Sequence, residues 1–154
     1  MFARYFIELP VPAERVEERL LHDPESWLPG LAREANRRGD ALLAEVGFGR
    51  THRVARTVEI RCGAPIRAGS KFAMPLRWSA SGMTGLFPEL EADLEVAPLG
   101  EGRTQLAMNA RYAPPLGPVG TAIDRAVLFR VAEATIKDFL DRVGEALLSR
   151  AESR

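Results

Sequence analysis

The chain has little or nothing of several features on which particular protein classes depend. Cys62 is the only cysteine among its 154 residues, so no disulfide can form within the chain. No apolar run approaches the roughly 18 residues of a membrane-spanning helix. The first residues, Met1 to Glu8, lack the charged leader and apolar core of a signal peptide. We therefore expect no integral membrane contact and a cytoplasmic location.

Excess charge and the common catalytic motifs are also missing. Acidic and basic residues number 21 each, so we expect no broad basic surface and no nucleic-acid partner. The chain contains no GxSxG, HExxH or Walker motif, and no GxGxxG follows a predicted strand. The sequence therefore identifies no catalytic residue, no metal site and no cofactor.

What the chain does have is alternation of apolar and polar residues with the period of two that is typical of strands. The alternation is clearest in 89–97, where four acidic residues, at 89, 91, 93 and 95, alternate with apolar ones. Pro75 lies inside another such segment and indicates an edge position or a bulge, because proline cannot donate to the ladder. Residues 63–69 are predicted as a turn. The predicted strands are 2–9, 42–48, 52–62, 70–80, 89–97 and 103–112.

Helical patterns occupy two places in the chain. Two short helices are predicted after the first strand, over 13–21 and 24–35. Pro29-Gly30 is expected to weaken or divide the second of them, and the polar run 36–40 is expected to end it. The last long stretch, from about Pro118 to Arg150, is predicted as one helix. Its inner face is given by the 3–4 spacing of Leu128, Ala132, Ile136, Phe139, Leu140, Val143 and Leu147.

Two details of the last helix carry further expectations. Gly144 costs about 1 kcal/mol relative to alanine in a helix, which suggests that the sheet approaches closely there. The first half of the helix, 126–132, is apolar on nearly all sides except at Arg130. Docking one face on a sheet does not require this, so we predict a second apolar neighbour. That neighbour is either the pocket with its loops or another subunit.

The order β-α-α-β-β-β-β-β-α resembles the helix-grip fold of the START/Bet v 1-like superfamily, also called the SRPBCC or polyketide cyclase/dehydrase-like group. The resemblance rests on the first strand with its Val11-to-Val16 lead into a helix, the segment Asp23 to Trp27, the strand meander and the terminal helix. It implies a single α+β domain over 1–154. An antiparallel curved sheet of six or seven strands would surround the C-terminal helix, with an elongated cavity between them. It also implies a small apolar ligand, such as a lipid or a polyketide.

Candidate ligand-binding residues follow from the strand registers. His52 and Arg56 share the apolar register of strand 52–62 and are candidate anchors for the polar end of a ligand. The alternative is an internal ion pair, or a twist that turns Arg56 to solvent. Large inward-facing side chains are candidates for the pocket wall, and their alternative is an ordinary core. The wall candidates, with two positions of the last helix, are Trp27, Phe72, Met74, Trp78, Met108, Tyr112, Leu128 and Ala132.

Three further groups have a functional and a structural interpretation. Cys62 with His22 or His52 would be a nucleophile with its base, although a lone cysteine in an apolar register is more typical of a core. A loop contains the apolar residues Met83, Leu86 and Phe87, which would form a lid, a dimer contact or part of the core. The acidic side chains of 89–97 are expected to pair across strands with Arg77 and Arg111.

Three functions remain open on the sequence. The first is a non-enzymatic domain that binds a small apolar molecule, and it is the leading prediction. The second is a cyclase or dehydratase-type enzyme in which His52 or Tyr112 acts as general acid or base. The third is a protein-interaction module whose pocket is vestigial. A homodimer is compatible with each of them.

Overall fold

A computed structural model gives the structure of residues 1–45, 58–80, 89–112 and 125–152. Nine helices and strands lie within these residues, and the last helix is 28 residues long. In chain order the elements are β1 (Phe2–Leu9), α1 (Ala13–Leu21), α2 (Pro24–Glu45), β2 (Val58–Cys62), β3 (Ile66–Ala68), β4 (Lys71–Ala80), β5 (Glu89–Pro98), β6 (Thr104–Tyr112) and α3 (Arg125–Glu152).

The strands form one six-stranded antiparallel sheet that is curved and open. Its order is β1-β6-β5-β4-β2, and β3 also pairs with β4. The long helix α3 packs against β1 and β6, and α2 packs against α3 and β2. The predicted α+β helix-grip fold is therefore confirmed, because it requires a curved sheet, two helices after the first strand and a long C-terminal helix.

Burial follows the alternation that predicted the strands. On β4, β5 and β6 every second side chain faces the interior and is closed to solvent, while Arg77, Glu91 and Arg111 are exposed on the other face. One-sided burial is what makes the period of two visible in the sequence. The buried side chains of these three strands include Phe72, Met74, Leu76, Trp78, Leu90, Ala92, Leu94, Val96, Leu106, Met108, Ala110 and Tyr112.

Pro75 lies in a central strand where the neighbouring ladder is interrupted. β2 pairs with β4 as far as Cys62↔Leu76, and β3 resumes the pairing at Ile66↔Ala73. Between these two pairs, residues 63–65 lie opposite Met74 and Pro75. One side of the ladder therefore has one residue more than the other, which defines a bulge. The Gly63 amide donates to the Pro75 carbonyl at 2.8 Å, so the missing Pro75 amide also faces this gap. The expectation of an edge position or a bulge is confirmed as a bulge.

Two predicted boundaries are wrong. The helix α2 continues unbroken through Pro29 and Gly39 to Glu45, so Leu42 and its neighbours up to Glu45 are helical and not part of a strand. Residues 46–48 lie outside the described part of the chain. The predicted turn 63–69 contains the short strand β3, whose three side chains are all exposed. A three-residue exposed strand leaves no alternation to read.

The physical reason for the length of α2 is its buried face. Ala32, Ala35 and Gly39 are closed to solvent at helical spacing. Small side chains allow a neighbouring element to approach closely, and tertiary packing outweighs the low helix propensity of glycine. Pro29 costs one helical bond, to the Glu25 carbonyl, at the exposed start of the helix.

The helix α3 has the predicted inner face, and several side chains of its first half are also buried or half-buried. Leu128, Val131 and Ala132 of its first half are buried, and Val127 and Phe129 are half-buried against the core. The helix α2 packs along α3, although it was not among the neighbours that the sequence suggested. Whether a pocket loop or another subunit also contacts the start of α3 stays a prediction, because 113–124 lies outside the described residues.

Gly144 provides a test of how closely α3 approaches β1. A Cβ added there would lie 2.5 Å from Ile7 Cδ1 and 3.3 Å from Leu9 Cδ2. The nearest atom is the end of the Ile7 side chain, which can shift, so we expect Gly144→Ala to change the free energy of unfolding by less than about 1 kcal/mol, because the gain in helix propensity offsets the cost of that shift. In an Ile7→Val background, which lacks Cδ1, the same change should be more stabilising. Urea unfolding of the four proteins of this cycle measures both effects. Stabilisation of equal size in both backgrounds would contradict the close approach.

Candidate functional site

Four inward-facing side chains lie in register at one end of the sheet, and we call them the terminal row. Trp78 lies opposite Ile60 on β2 and Leu90 on β5, and Leu90 lies opposite Tyr112 on β6. Each of the four is at most 6% exposed. At this end of the sheet β2 begins at Val58, β4 ends at Ala80, β5 begins at Glu89 and β6 ends at Tyr112.

The helix α3 covers the terminal row on the inner face of the sheet. The ring of Phe139 meets the ring of Trp78 edge to face, with 5.2 Å between centroids and 61° between planes. Such aromatic pairs add to the energy of simple burial. Leu128 and Ala132, the two helix positions predicted to line a pocket, are buried on the same helix. Sequence, register and helix packing therefore bring Trp78, Tyr112, Leu128 and Ala132 to the interior.

Tyr112 is a hydrogen-bond donor at neutral pH. Burial and, to a smaller extent, the negative charge of Glu133 on α3 raise the pKa of its hydroxyl above the ordinary value of 10.0. A group held in its protonated form can orient a polar atom of a ligand or donate a proton, but it does not serve as a general base near neutral pH.

The remaining wall candidates on the sheet lie farther along it. Met74 and Met108 flank Leu94 in the register, and we call these three residues the methionine row. Phe72 lies one row beyond, six residues from Trp78 along β4, or roughly 20 Å at the rise of a strand. Arg67 stacks over the Phe72 ring at 5.9 Å and pairs with Glu17 of α1. Phe72 therefore belongs to the end of the sheet beside α1, and the structure separates it from the terminal row.

Between the terminal row and the methionine row lies a row of small residues. Ala92 lies opposite Ala110, and Ala110 lies opposite Ala3 of β1. We call these three residues the alanine row, and all of them are buried. On β1, β5 and β6 the inner face therefore carries alanine between the terminal row and the methionine row, and Leu76 of β4 lies opposite Ala92 in the same row.

The structure places Trp27 away from this group. It lies in the first turn of α2 and is half-buried, and its indole Nε1 donates to the His22 carbonyl at 3.4 Å. Its contact therefore fastens the corner between α1 and α2. His52 and Arg56, the predicted polar anchors, lie outside the described residues, as do Met83, Leu86 and Phe87 of the apolar loop. Their roles stay predictions.

The outer face of the sheet is occupied by charges of both signs. Arg77 and Glu91 form an ion pair of 3.2 Å, and Arg111 lies opposite Glu91 in the register. The predicted cross-strand pairing is thus confirmed for Arg77 with Glu91, and for Arg111 it stays a prediction that its register allows. A broad groove of about 870 Å³ runs over this face. Its lining includes Arg4, Asp93 and Asn109 and does not suit an apolar guest.

Other buried polar groups are engaged in structural bonds. The hydroxyl of Thr104 donates to the Val11 carbonyl at 2.6 Å, and that of Thr135 donates to the Val131 carbonyl at 2.8 Å. Within the four described ranges no group of three His, Cys, Asp or Glu side chains is placed to hold a metal ion. No helix in those ranges is long and apolar enough to cross a membrane.

Cys62 has the properties of a core cysteine and not those of a nucleophile. It is half-buried at the end of β2, and burial, with a smaller contribution from the charge of Glu25, raises the pKa of its thiol to about 11. A reactive cysteine needs the opposite shift, toward the thiolate. His22 follows α1 and is exposed, so it provides no buried base.

Ile60 and Leu90 are the members of the terminal row that the sequence did not identify as site residues. Each is one of the apolar residues in the alternating pattern of its strand, and neither is aromatic or polar. Cross-strand register is the signal that reveals them, because it places both directly opposite Trp78.

Solved structures with this fold exist. A conserved protein from Geobacillus kaustophilus has a TM-score of 0.57 at 15% identity, over 97% of this chain and 96% of its own. A protein from Thermus thermophilus has a TM-score of 0.54 at 17% identity, over 97% and 99%. The Zhui aromatase/cyclase from Streptomyces sp. R1128 has a TM-score of 0.49 at 12% identity, over 98% and 95%. No family model and no curated protein matches the chain.

The likenesses to the Geobacillus and Thermus proteins extend over nearly the whole of each chain. At such low identity they show a common fold and do not transfer an activity. The helix-grip architecture predicted from the element order is confirmed as the fold of this chain.

Proposed function

We propose that residues 1–154 form one domain that binds a small apolar molecule, such as a lipid or a polyketide, between the sheet and α3. The observation that carries this proposal is the terminal row. Trp78 and Tyr112 each place one polar atom among apolar side chains, at the end of the sheet where β4 and β6 end. A mostly apolar wall with a few placed polar atoms is the usual composition of a small-molecule site.

Two further features support this location. The alanine row beside the terminal row has short side chains on three neighbouring strands, which would leave room for a guest beside Trp78 and Tyr112. Tyr112 keeps its proton at neutral pH, so it can donate a hydrogen bond to a carbonyl or hydroxyl oxygen of the guest. The cyclase alternative needs a base as well as this donor, and the candidate base His52 lies outside the described residues.

The test of the proposal is binding to the purified protein. Native mass spectrometry of protein isolated under mild conditions should show an apolar molecule bound, and fatty acids or aromatic polyketides should raise the midpoint of thermal unfolding. A polyketide recovered in cyclised or dehydrated form would favour the enzyme alternative. Empty protein whose unfolding none of these compounds shifts would contradict the proposal and favour an interaction module.

Tyr112→Phe tests the donor directly. Losing one neutral hydrogen bond costs roughly 1 kcal/mol, so we expect the dissociation constant of an oxygen-bearing ligand to rise about fivefold. The matched control is Tyr5→Phe, which removes a hydroxyl that donates to Asp141 Oδ1 at 3.3 Å on the flank of α3. Calorimetric titration measures both variants. Equal affinity of Tyr112→Phe and the unchanged protein would exclude Tyr112 as an anchor.

A further inference from the structure

The strand β1 is an open edge of the sheet. Among the described residues it pairs only with β6, in a continuous register from Phe2↔Arg111 to Leu9↔Thr104. It is eight residues long and has neither a proline nor a bulge, two of the devices that prevent edge pairing. Phe2 is 57% exposed and Phe6 is 52% exposed on the same face.

The hydrogen-bond pattern shows which backbone groups face this open edge. The amino group of Met1 donates to the Tyr112 carbonyl at 2.7 Å, and the Tyr112 amide donates to the Met1 carbonyl at 3.0 Å. In an antiparallel ladder the residues bonded to one neighbour alternate with those bonded to the other. Odd-numbered residues of β1 are therefore bonded to β6. The amide and carbonyl groups that point away from β6 belong to Phe2, Arg4, Phe6 and Glu8.

These four residues are also self-complementary. A second copy pairing antiparallel about a two-fold axis at Phe6 sets Phe6 against Phe6 of the partner subunit. It also sets Arg4 against Glu8 of the partner subunit, twice by symmetry. Opposite charges and aromatic rings directly opposite each other stabilise a strand pair. An axis at Arg4 or at Glu8 would instead set like charges against each other.

The space beside the edge is open to such a partner. A groove of about 350 Å³ runs between β1 and α3, lined by Ala3, Tyr5, Ala134, Ile136 and Lys137 among others. At the opposite edge of the sheet, β2 packs against α2. A helix therefore packs against each edge strand, α2 against β2 and α3 against β1, and β1 carries the exposed phenylalanines.

We propose that the chain forms a two-fold dimer through β1, with Phe6 at the axis and Arg4 paired with Glu8 of the partner subunit. The two sheets then continue into one another. In such isologous pairing both subunits contribute the same strand, so the interface is complete in the dimer. No unpaired β1 edge then remains to extend a fibre. This proposal is independent of what the interior binds.

Sedimentation velocity over roughly 1 µM to 1 mM tests the dimer with the unchanged protein. We expect the sedimentation coefficient to rise with concentration from the monomer value to the dimer value. Phe6→Lys sets two like charges against each other at the axis and should raise the dissociation constant at least tenfold. The matched control is Ile66→Lys, at an apolar side chain that is 59% exposed on β3, and it should leave the dissociation constant unchanged.

Charge reversal identifies the register. Arg4→Glu alone, or Glu8→Arg alone, sets like charges opposite each other twice and should raise the dissociation constant about tenfold. The double variant exchanges the two charges and should recover most of the affinity. Glu8 also pairs with Arg103 of its own chain at the surface, so thermal unfolding of each variant shows whether the monomer is intact. Failure of the double variant to recover would overturn the register.

Hydrogen exchange of the unchanged protein gives a test that does not depend on any variant. Raising the concentration should slow exchange at the amides of Arg4, Phe6 and Glu8, which face the open edge. The amides of Ala3, Tyr5 and Ile7 are bonded to β6 in monomer and dimer alike and should change little. A protein that stays monomeric throughout, or that associates without protecting the even-numbered amides, would refute the proposal. If the protein stays monomeric, the edge at β1 would remain available for pairing with a strand of another protein.

Discussion

Replacing Phe139 by alanine should lower the free energy of unfolding by about 3–5 kcal/mol. The Phe139 side chain is 0% exposed, and its ring meets Trp78 at 5.2 Å in the middle of the contact between α3 and the sheet. Removing the ring loses its burial and the aromatic contact, and it leaves a cavity that rigid strands cannot fill. A net loss of this size is comparable with a large part of the stability of an ordinary domain.

Urea unfolding followed by tryptophan fluorescence measures this change, because Trp78 reports on the same contact. The matched control is Phe2→Ala at a ring that is 57% exposed, and it should change stability by less than about 0.5 kcal/mol. A loss below about 1 kcal/mol for Phe139→Ala would mean that α3 is not held on the sheet through this ring.

Alkylation of Cys62 should be about 100-fold slower in the folded protein than in the unfolded chain near pH 8, because the pKa rises from 9.0 to about 11. Only the thiolate reacts, so the rate follows the fraction of thiol that is ionised. The rate in the folded protein should climb through pH 9 and 10 and level off only above about pH 11.

The same shift affects stability at high pH. The folded thiol holds its proton more tightly than the unfolded one, so its contribution to stability is complete below about pH 9 and is lost as the pH rises toward 11. The pH profile of iodoacetamide modification, with urea-unfolded protein as the reference, provides the measurement. Glu25→Gln is a second control and should lower the midpoint only slightly, because burial is the larger cause. A midpoint near 9 in the folded protein would show that slow reaction reflects access alone.

The elements that the sequence predicted well are those with one buried face and no competing neighbour. In β5 the strict alternation of Leu90, Leu94 and Val96 with acidic residues reports burial on one side only, and the observed burial agrees. The inner face of α3 was found for the same reason at a period of 3.6. Gly144 was interpreted through its propensity cost, and its contact with Ile7 agrees with that interpretation.

Residues 36–45 show where local pattern fails. Gly39 is a common helix terminator, and Leu42 begins an alternation typical of a strand. The helix α2 nevertheless continues through both, because its buried face of small residues packs against other elements. Local preferences differ by about 1 kcal/mol per residue, and packing of a whole helix face exceeds that.

Residue type predicted the candidate site, and the cross-strand register then showed which of the predicted residues lie together. Trp78, Met74, Met108 and Tyr112 were correctly predicted to face inward. The separation of Phe72 from the terminal row depends on the distance along β4, and the place of Trp27 depends on the corner between α1 and α2. No periodicity contains that information.

By itself, the sequence determined which faces of β4, β5, β6 and α3 are buried, because burial on one side is recorded in the spacing of apolar residues along the chain. Only the tertiary structure decided which side chains meet across strands, such as Ile60 with Trp78, and which edge of the sheet stays open at β1. Those facts depend on pairing between residues far apart in the chain, and the energy of such pairing is not expressed in any local pattern.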